Sequence, residues 1–178
     1  KDCIILDYDR TITVKHMNQY MHIISGIRGG PINALRDYYD ESRDTDENFM
    51  GDLVRRTAIV RFLENLIETN SHLFIATFST FPDMCKHTLK LVCDEKDSAL
   101  WNDVQERIHC DEHTSGMTRN GCCVRDKGSH LDYILGQRDE LRLTGKTLFC
   151  DDDPSNVDQS ETVGFEIRPV PSAAVQPL

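Results

Sequence analysis

No stretch of the 178 residues approaches the ~20 consecutive apolar residues of a membrane-spanning helix, and no leader peptide is recognisable. Positive charge is scarce too: 20 Lys and Arg face 30 Asp and Glu, a net charge of −10. So acidic a chain is not built to grip nucleic acid or an anionic membrane by general attraction, and neither is an expected partner. A phosphorylated substrate stays possible, provided that positive charge is imported locally, and a metal ion is the obvious source. There is no CxxC, and the cysteines at 3, 85, 93, 110, 122, 123 and 150 are odd in number and irregular in spacing. Small buried thiols in a reducing compartment explain this better than a disulfide framework, so a cytoplasmic location is expected. Cys110, His113, Cys122 and Cys123 could offer zinc ligands, but adjacent cysteines chelate poorly and inert thiols are the preferred reading. Collagen-like, coiled-coil and low-complexity classes are excluded by 39% hydrophobic and 28% charged residues, close to globular averages. The length fits one domain that buries a core without disulfides. Because Lys1 is followed at once by an apolar strand, the chain reads as part of something longer, with any targeting signal outside it.

What is present is a series of short apolar runs alternating with amphipathic stretches. Cys3-Ile4-Ile5-Leu6, Leu73-Phe74-Ile75-Ala76 and Thr147-Leu148-Phe149-Cys150 have the continuous apolar character of strands buried on both faces. Weaker strand signals fall at Arg107–Cys110 and Gly164–Ile167. Ile59, Phe62, Leu63, Leu66 and Ile67 form one helical stripe, which predicts a helix over 55–69. Asn33–Tyr39 has helical character, with Asp40–Asn48 read as loop. Ser79, Thr80 and Pro82 mark a helix start running to about Cys93, and Leu131, Ile134 and Leu135 mark another helix. Residues 111–126 read as an irregular or hairpin segment, and 169–178 as a proline-rich tail or linker. The alternation predicts an α/β fold, a parallel sheet with helices on both faces, whose chemistry gathers at the carboxyl ends of the strands.

The residues at those ends make sense together. Asp7, Tyr8, Asp9, Arg10 and Thr11 follow the first strand, Thr77 the second, and Asp151, Asp152 and Asp153 the strand at 147–150, while Lys127 heads the helix holding Leu131. So many carboxylates would repel one another without a cation, and hard oxygen donors suit Mg²⁺. With one ammonium and one hydroxyl added, the set is equipped for phosphoryl transfer.

On these residues the sequence resembles the haloacid dehalogenase superfamily of phosphotransferases. Ile4-Ile5-Leu6-Asp7-Tyr8-Asp9-Arg10-Thr11 matches its apolar strand and DxDx[TV]. Leu73–Thr77 matches the strand ending in Thr or Ser, Asp126-Lys127-Gly128 the lysine at a helix start, and Leu148–Val157 the strand ending in paired acids. The resemblance runs over about residues 3–168 and implies a Rossmann-like three-layer sandwich with a small cap at about 13–54, after the first motif. It implies Asp7 as the nucleophile and Asp9 as the acid and base. Thr77 would bind a phosphoryl oxygen, and Lys127 would neutralise Asp7 and the phosphate. Mg²⁺ would be held among Asp7, Asp9 (through its backbone carbonyl), Asp151 and Asp152. Asp153 is expected to cap a helix or support the metal acids, Asn156 to order its loop, Thr11 to be structural, and Arg10, where the family often has Gly, to point to solvent. The expected activity is Mg²⁺-dependent phosphomonoester hydrolysis on a phosphorylated small molecule or, as the alternative, a phosphoprotein carrying phosphotyrosine or phosphoserine/threonine. A non-catalytic binding module fits less well, because neither the nucleophile nor a metal acid is missing. Within the expected cap, Ser25–Gly30 and Arg28 are the first residues to inspect for substrate contacts.

Overall fold

A computed structural model of the chain describes residues 1–17, 31–78, 82–110 and 126–156. Four strands, β1 (Cys3–Asp7), β2 (His72–Ala76), β3 (Ile108–His109) and β4 (Thr147–Cys150), pair in parallel in the order β3-β2-β1-β4. Asp7 pairs with Ala76 and Leu6 with Cys150, so Thr77 and Asp151 leave the sheet beside Asp7. Between β1 and β4 the strand order reverses, which opens the crevice where parallel sheets place their ligands.

The helices bounded within the described residues include α1 (Pro31–Ser42), α2 (Leu53–Glu68), α3 (Pro82–Lys96), α4 (Ser98–Val104) and α5 (Lys127–Glu140). Because alternate strand residues face opposite ways, each sheet face has its own apolar cluster. Cys3, Ile5, Phe74, Ala76 and Phe149 pack with Leu131 and Ile134 of α5. Ile4, Leu6, Leu73 and Ile75 pack on the other face with residues of α1–α4, Leu35, Leu63, Val92 and Trp101 among them. The result is the expected three-layer α/β sandwich. Burying a side chain such as Ile5 or Phe149, each fully enclosed, contributes about 1.5–3 kcal/mol.

Local chemistry sets the helix ends. The Asp52 carboxylate accepts the Arg55 N–H and starts α2 at Leu53, slightly earlier than the apolar stripe implies. Asp126 does the same for α5 by accepting the Ser129 N–H. Helix α1 reaches Ser42, so the start of the stretch expected as loop is helical. Helix α4 was not expected; Asp97 caps it, and Leu100, Trp101 and Val104 bury its inner side. Strand β3 is two residues long, shorter than the apolar run. At Gly145 the backbone passes so close to the chain start that a Cβ would lie 2.2 Å from Asp2 Oδ1, and only glycine fits. The expected hairpin at 111–126, apart from Asp126, lies outside the described residues, as do the strand at 164–167, the tail at 169–178, Ser25–Gly30 and the cysteines 122 and 123.

The described part of segment 13–54 rests on the helical layer. Tyr39, Phe49 and Met50 are fully buried in the same cluster as Leu63. A buried polar clamp joins three helices there. Glu95 of α3 accepts hydrogen bonds from Arg56 Nε of α2 at 2.9 Å and Tyr39 Oη of α1 at 2.6 Å. Arg56 Nη1 also donates to Gly51 O.

Candidate active site

Strand β1 delivers Asp7 to the sheet edge, and the chain then turns sharply through a π-helical turn at Tyr8–Ile12. The turn breaks regular geometry at Asp9 (φ −69°, ψ 124°) and Arg10 (φ 64°, ψ −5°). Arg10 therefore sits in the left-handed region that glycine occupies without penalty, the physical basis for Gly being frequent there in the resembling family. Thr13 holds the turn, its backbone N–H donating to Tyr8 O at 3.1 Å. Its hydroxyl accepts the Arg10 N–H at 3.3 Å. From outside, Arg55 Nη2 donates to Thr11 O at 2.7 Å.

Lys127 is the electrostatic centre. Its side chain is almost wholly buried, and its Nζ donates to Asp7 Oδ1 at 2.7 Å and Ala76 O at 2.9 Å. Asp151 Oδ2 lies 3.2 Å from the same nitrogen. Asp151 Oδ1 is occupied elsewhere, accepting the Asp153 N–H at 2.9 Å and Asn156 Nδ2 at 3.0 Å. These two bonds fix the carboxylate so that Oδ2 faces Lys127. Asp153 accepts the Ser155 N–H and hydroxyl, which is the capping role expected of it. Asn156 orders the loop, as expected.

Oxygens of Asp7, Asp151 and Asp152 lie within 4.8 Å of one another. One ammonium does not balance three carboxylates, of which Asp7 and Asp151 are largely enclosed and Asp152 faces solvent. Burial pushes the Asp7 carboxyl up from 3.8 to about 7, against the opposing pull of Lys127 and with added repulsion from Asp151. Asp152 is likewise raised, by burial first and then by Asp151. The chemistry of this donor set, all hard oxygen and short of positive charge, fits a divalent cation such as Mg²⁺. The Asp9 side chain is not in that trio; its carboxylate is turned to Met17 N, 2.6 Å from Oδ1, and His16 Nδ1, 3.1 Å from Oδ2.

These groups line one cavity of about 300 Å³, with Asp7, Asp9, Thr77, Lys127, Asp151 and Asp152 on its wall. The six residues that the resemblance assigns to catalysis or metal therefore line one cavity. Thr11 is absent from this lining, in keeping with a structural part, whereas exposed Arg10 does border the cavity. Arg10 is thus not a purely solvent-facing side chain, and its charge pulls on Asp152. Sequence reasoning missed His16 and Phe78, which complete the wall. Phe78 is 43% exposed, and its ring lies over Lys127 Nζ, 5.4 Å from centroid to nitrogen. The position of Phe78 directly after Thr77 was a usable signal. His16 carried none, because six residues with no regular period separate it from Asp9.

No protein-family model matches the sequence, and no curated protein matches it either. Among solved structures, the HAD domain of the effector protein Lem4 from Legionella pneumophila is similar, with TM-score 0.55 and 15% identity over 96% of this chain and 85% of that one. An inactive mutant of the same domain aligns with TM-score 0.55 and 14% identity, over 96% and 84% of the two chains. At that level of identity the likeness concerns architecture, and the chain has the haloacid dehalogenase-like fold.

Proposed function

We propose that the chain is a Mg²⁺-dependent phosphomonoester hydrolase that works through an aspartyl-phosphate on Asp7. The observation that carries this reading is the single cavity in which buried Lys127 bridges Asp7 and Asp151 while Asp9 stands apart from the trio of acids. Asp7, Asp151, Asp152 and the backbone carbonyl of Asp9 would hold the cation. Bound there, Mg²⁺ supplies the positive charge that offsets the phosphate and the clustered carboxylates.

The remaining chemistry belongs to the chain. An Asp7 carboxylate oxygen attacks phosphorus, and the bond from phosphorus to the leaving oxygen breaks as Asp9 gives that oxygen a proton. Water then attacks the phosphorus and loses a proton to Asp9, and the bond to Asp7 breaks to restore the carboxylate and release phosphate. Lys127 holds the Asp7 carboxylate in place and stabilises charge on the phosphoryl group, and Thr77, one of the cavity's lining residues, binds a phosphoryl oxygen through its hydroxyl.

The cavity takes a phosphate and the first atoms beyond it. A phosphorylated small molecule is one substrate class. A phosphoprotein is the second, favoured by the exposed ring of Phe78 at the rim, where a peptide side chain could lie. The segment at 13–54 is the proposed cap that chooses between them. Hydrolysis of p-nitrophenyl phosphate with Mg²⁺, and its loss in EDTA, tests the activity. A screen of phosphopeptides against phosphometabolites separates the substrate classes. An intact, folded protein that hydrolyses none of these with Mg²⁺ would instead be the non-catalytic module.

A further inference from the structure

We propose that His16 is a positioning residue for Asp9, aiming its carboxylate at the leaving group. This rests on the phosphatase reading above and adds a residue that the motifs do not contain. Both oxygens of Asp9 are engaged from one short segment: Met17 N–H donates to Oδ1 at 2.6 Å, and His16 Nδ1 lies 3.1 Å from Oδ2. A carboxylate oxygen has two acceptor sites, so each oxygen keeps one free for a proton on its way to or from substrate. The Asp9 side chain is 18% exposed and that of His16 48%, which leaves the imidazole reachable from the cavity it lines.

The segment carrying His16 is itself held firmly. Thr13 Oγ1 donates to Lys15 O at 2.7 Å, Val14 N–H donates to Phe49 O at 2.8 Å, and Met17 is buried. Lys15 Nζ reaches Glu47 and the Tyr38 hydroxyl. An imidazole held this close to the carboxylate, on a segment anchored at several points, can keep it to within the few tenths of an ångström that proton transfer requires. His16 itself lies in the proposed cap segment at 13–54, so the same residue ties the acid to the substrate-selecting segment.

A residue that only pins residues 13–17 to the core would affect all substrates alike, whereas one that aims the acid matters in proportion to the leaving group's need for a proton. The test is kcat/KM across aryl phosphates of similar size, from p-nitrophenyl to p-methoxyphenyl phosphate, for wild type, His16→Ala and His16→Asn, each also with Asp9→Asn. His16→Ala should lose no more than about threefold on the nitrophenyl ester, whose phenolate leaves unaided, and on the order of 10–100-fold on the methoxyphenyl ester. His16→Asn, whose amide nitrogen falls near the place of Nδ1, should recover most of that loss. With Asp9→Asn present, His16→Ala should cost nothing more. Equal losses across the series, no loss at all, or an undiminished loss beside Asp9→Asn would each overturn the assignment. A folded wild type inert on every ester would remove the phosphatase reading itself, and the role of His16 with it.

Discussion

Asp7 is asked to do two things that conflict: to be buried beside other acids and to be ionised as a nucleophile. Burial raises its carboxyl to about 7, so without a cation the protein at neutral pH holds a charge it would rather neutralise. Asp7→Asn removes that charge together with the nucleophile. Hydrolysis of p-nitrophenyl phosphate should fall by on the order of 10⁴-fold or more. The melting temperature of metal-free protein at pH 8 should instead rise by a few degrees, because a strained catalytic group has been relieved. Scanning calorimetry in EDTA, beside the assay, checks both. Arg10 makes a smaller case at the same scale. Its left-handed φ of 64° costs roughly 1–2 kcal/mol, but glycine there gains freedom in the unfolded chain that largely offsets the relief. Arg10→Gly should therefore leave stability, read by urea denaturation, within about 1 kcal/mol of wild type.

Among the elements, the clamp formed by Tyr39, Arg56 and Glu95 shows how the residues after the first motif are fixed. Glu95 is held below the usual carboxylate range: burial pushes it up, but the hydrogen bonds from Tyr39 and Arg56 outweigh that. The folded value lies below the unfolded one, so the stabilisation is present above the ordinary Glu range and fades as pH falls through the folded value. Glu95→Ala leaves the almost fully buried Arg56 guanidinium without its partner and should cost about 3–5 kcal/mol in urea denaturation, as removing one member of a buried pair does. The clamp was not legible in the sequence, since a buried ion pair among helices leaves no periodic signal. The three strand-end groups, by contrast, were legible because chemistry and topology coincide there. An apolar run fixes where a strand stops, and the next polar residue is placed at the sheet edge by the pairing of Asp7 with Ala76 and Leu6 with Cys150. Helix α4 escaped because its buried face amounts to Leu100, Trp101 and Val104, too few positions to establish a period. His16 escaped because its meeting with Asp9 depends on the left-handed step at Arg10, which composition does not announce.

At the scale of the whole molecule, an acidic chain gathers a further concentration of carboxylates at one sheet edge, and stability, metal and pH are consequently linked. The folded Asp7 value of about 7 exceeds its ordinary 3.8. The folded protein therefore keeps a proton that the unfolded chain releases, and metal-free stability should fall as pH rises through that window and stay low above it. A cation that binds only the folded state reverses this loss. Saturating Mg²⁺ should accordingly raise the melting temperature by several degrees at pH 8 and by little at pH 5, an interaction that Asp151→Asn should weaken. The central claim concerns a covalent bond and is best tested by looking for it. Wild-type protein mixed with a phosphomonoester and Mg²⁺ is quenched in acid within one turnover, reduced with borohydride and mapped by mass spectrometry. The account predicts an acyl-phosphate at Asp7, read as homoserine at that position and absent when substrate is withheld. Steady hydrolysis with no trapped intermediate under any quench time, or with the label on another residue, would contradict it.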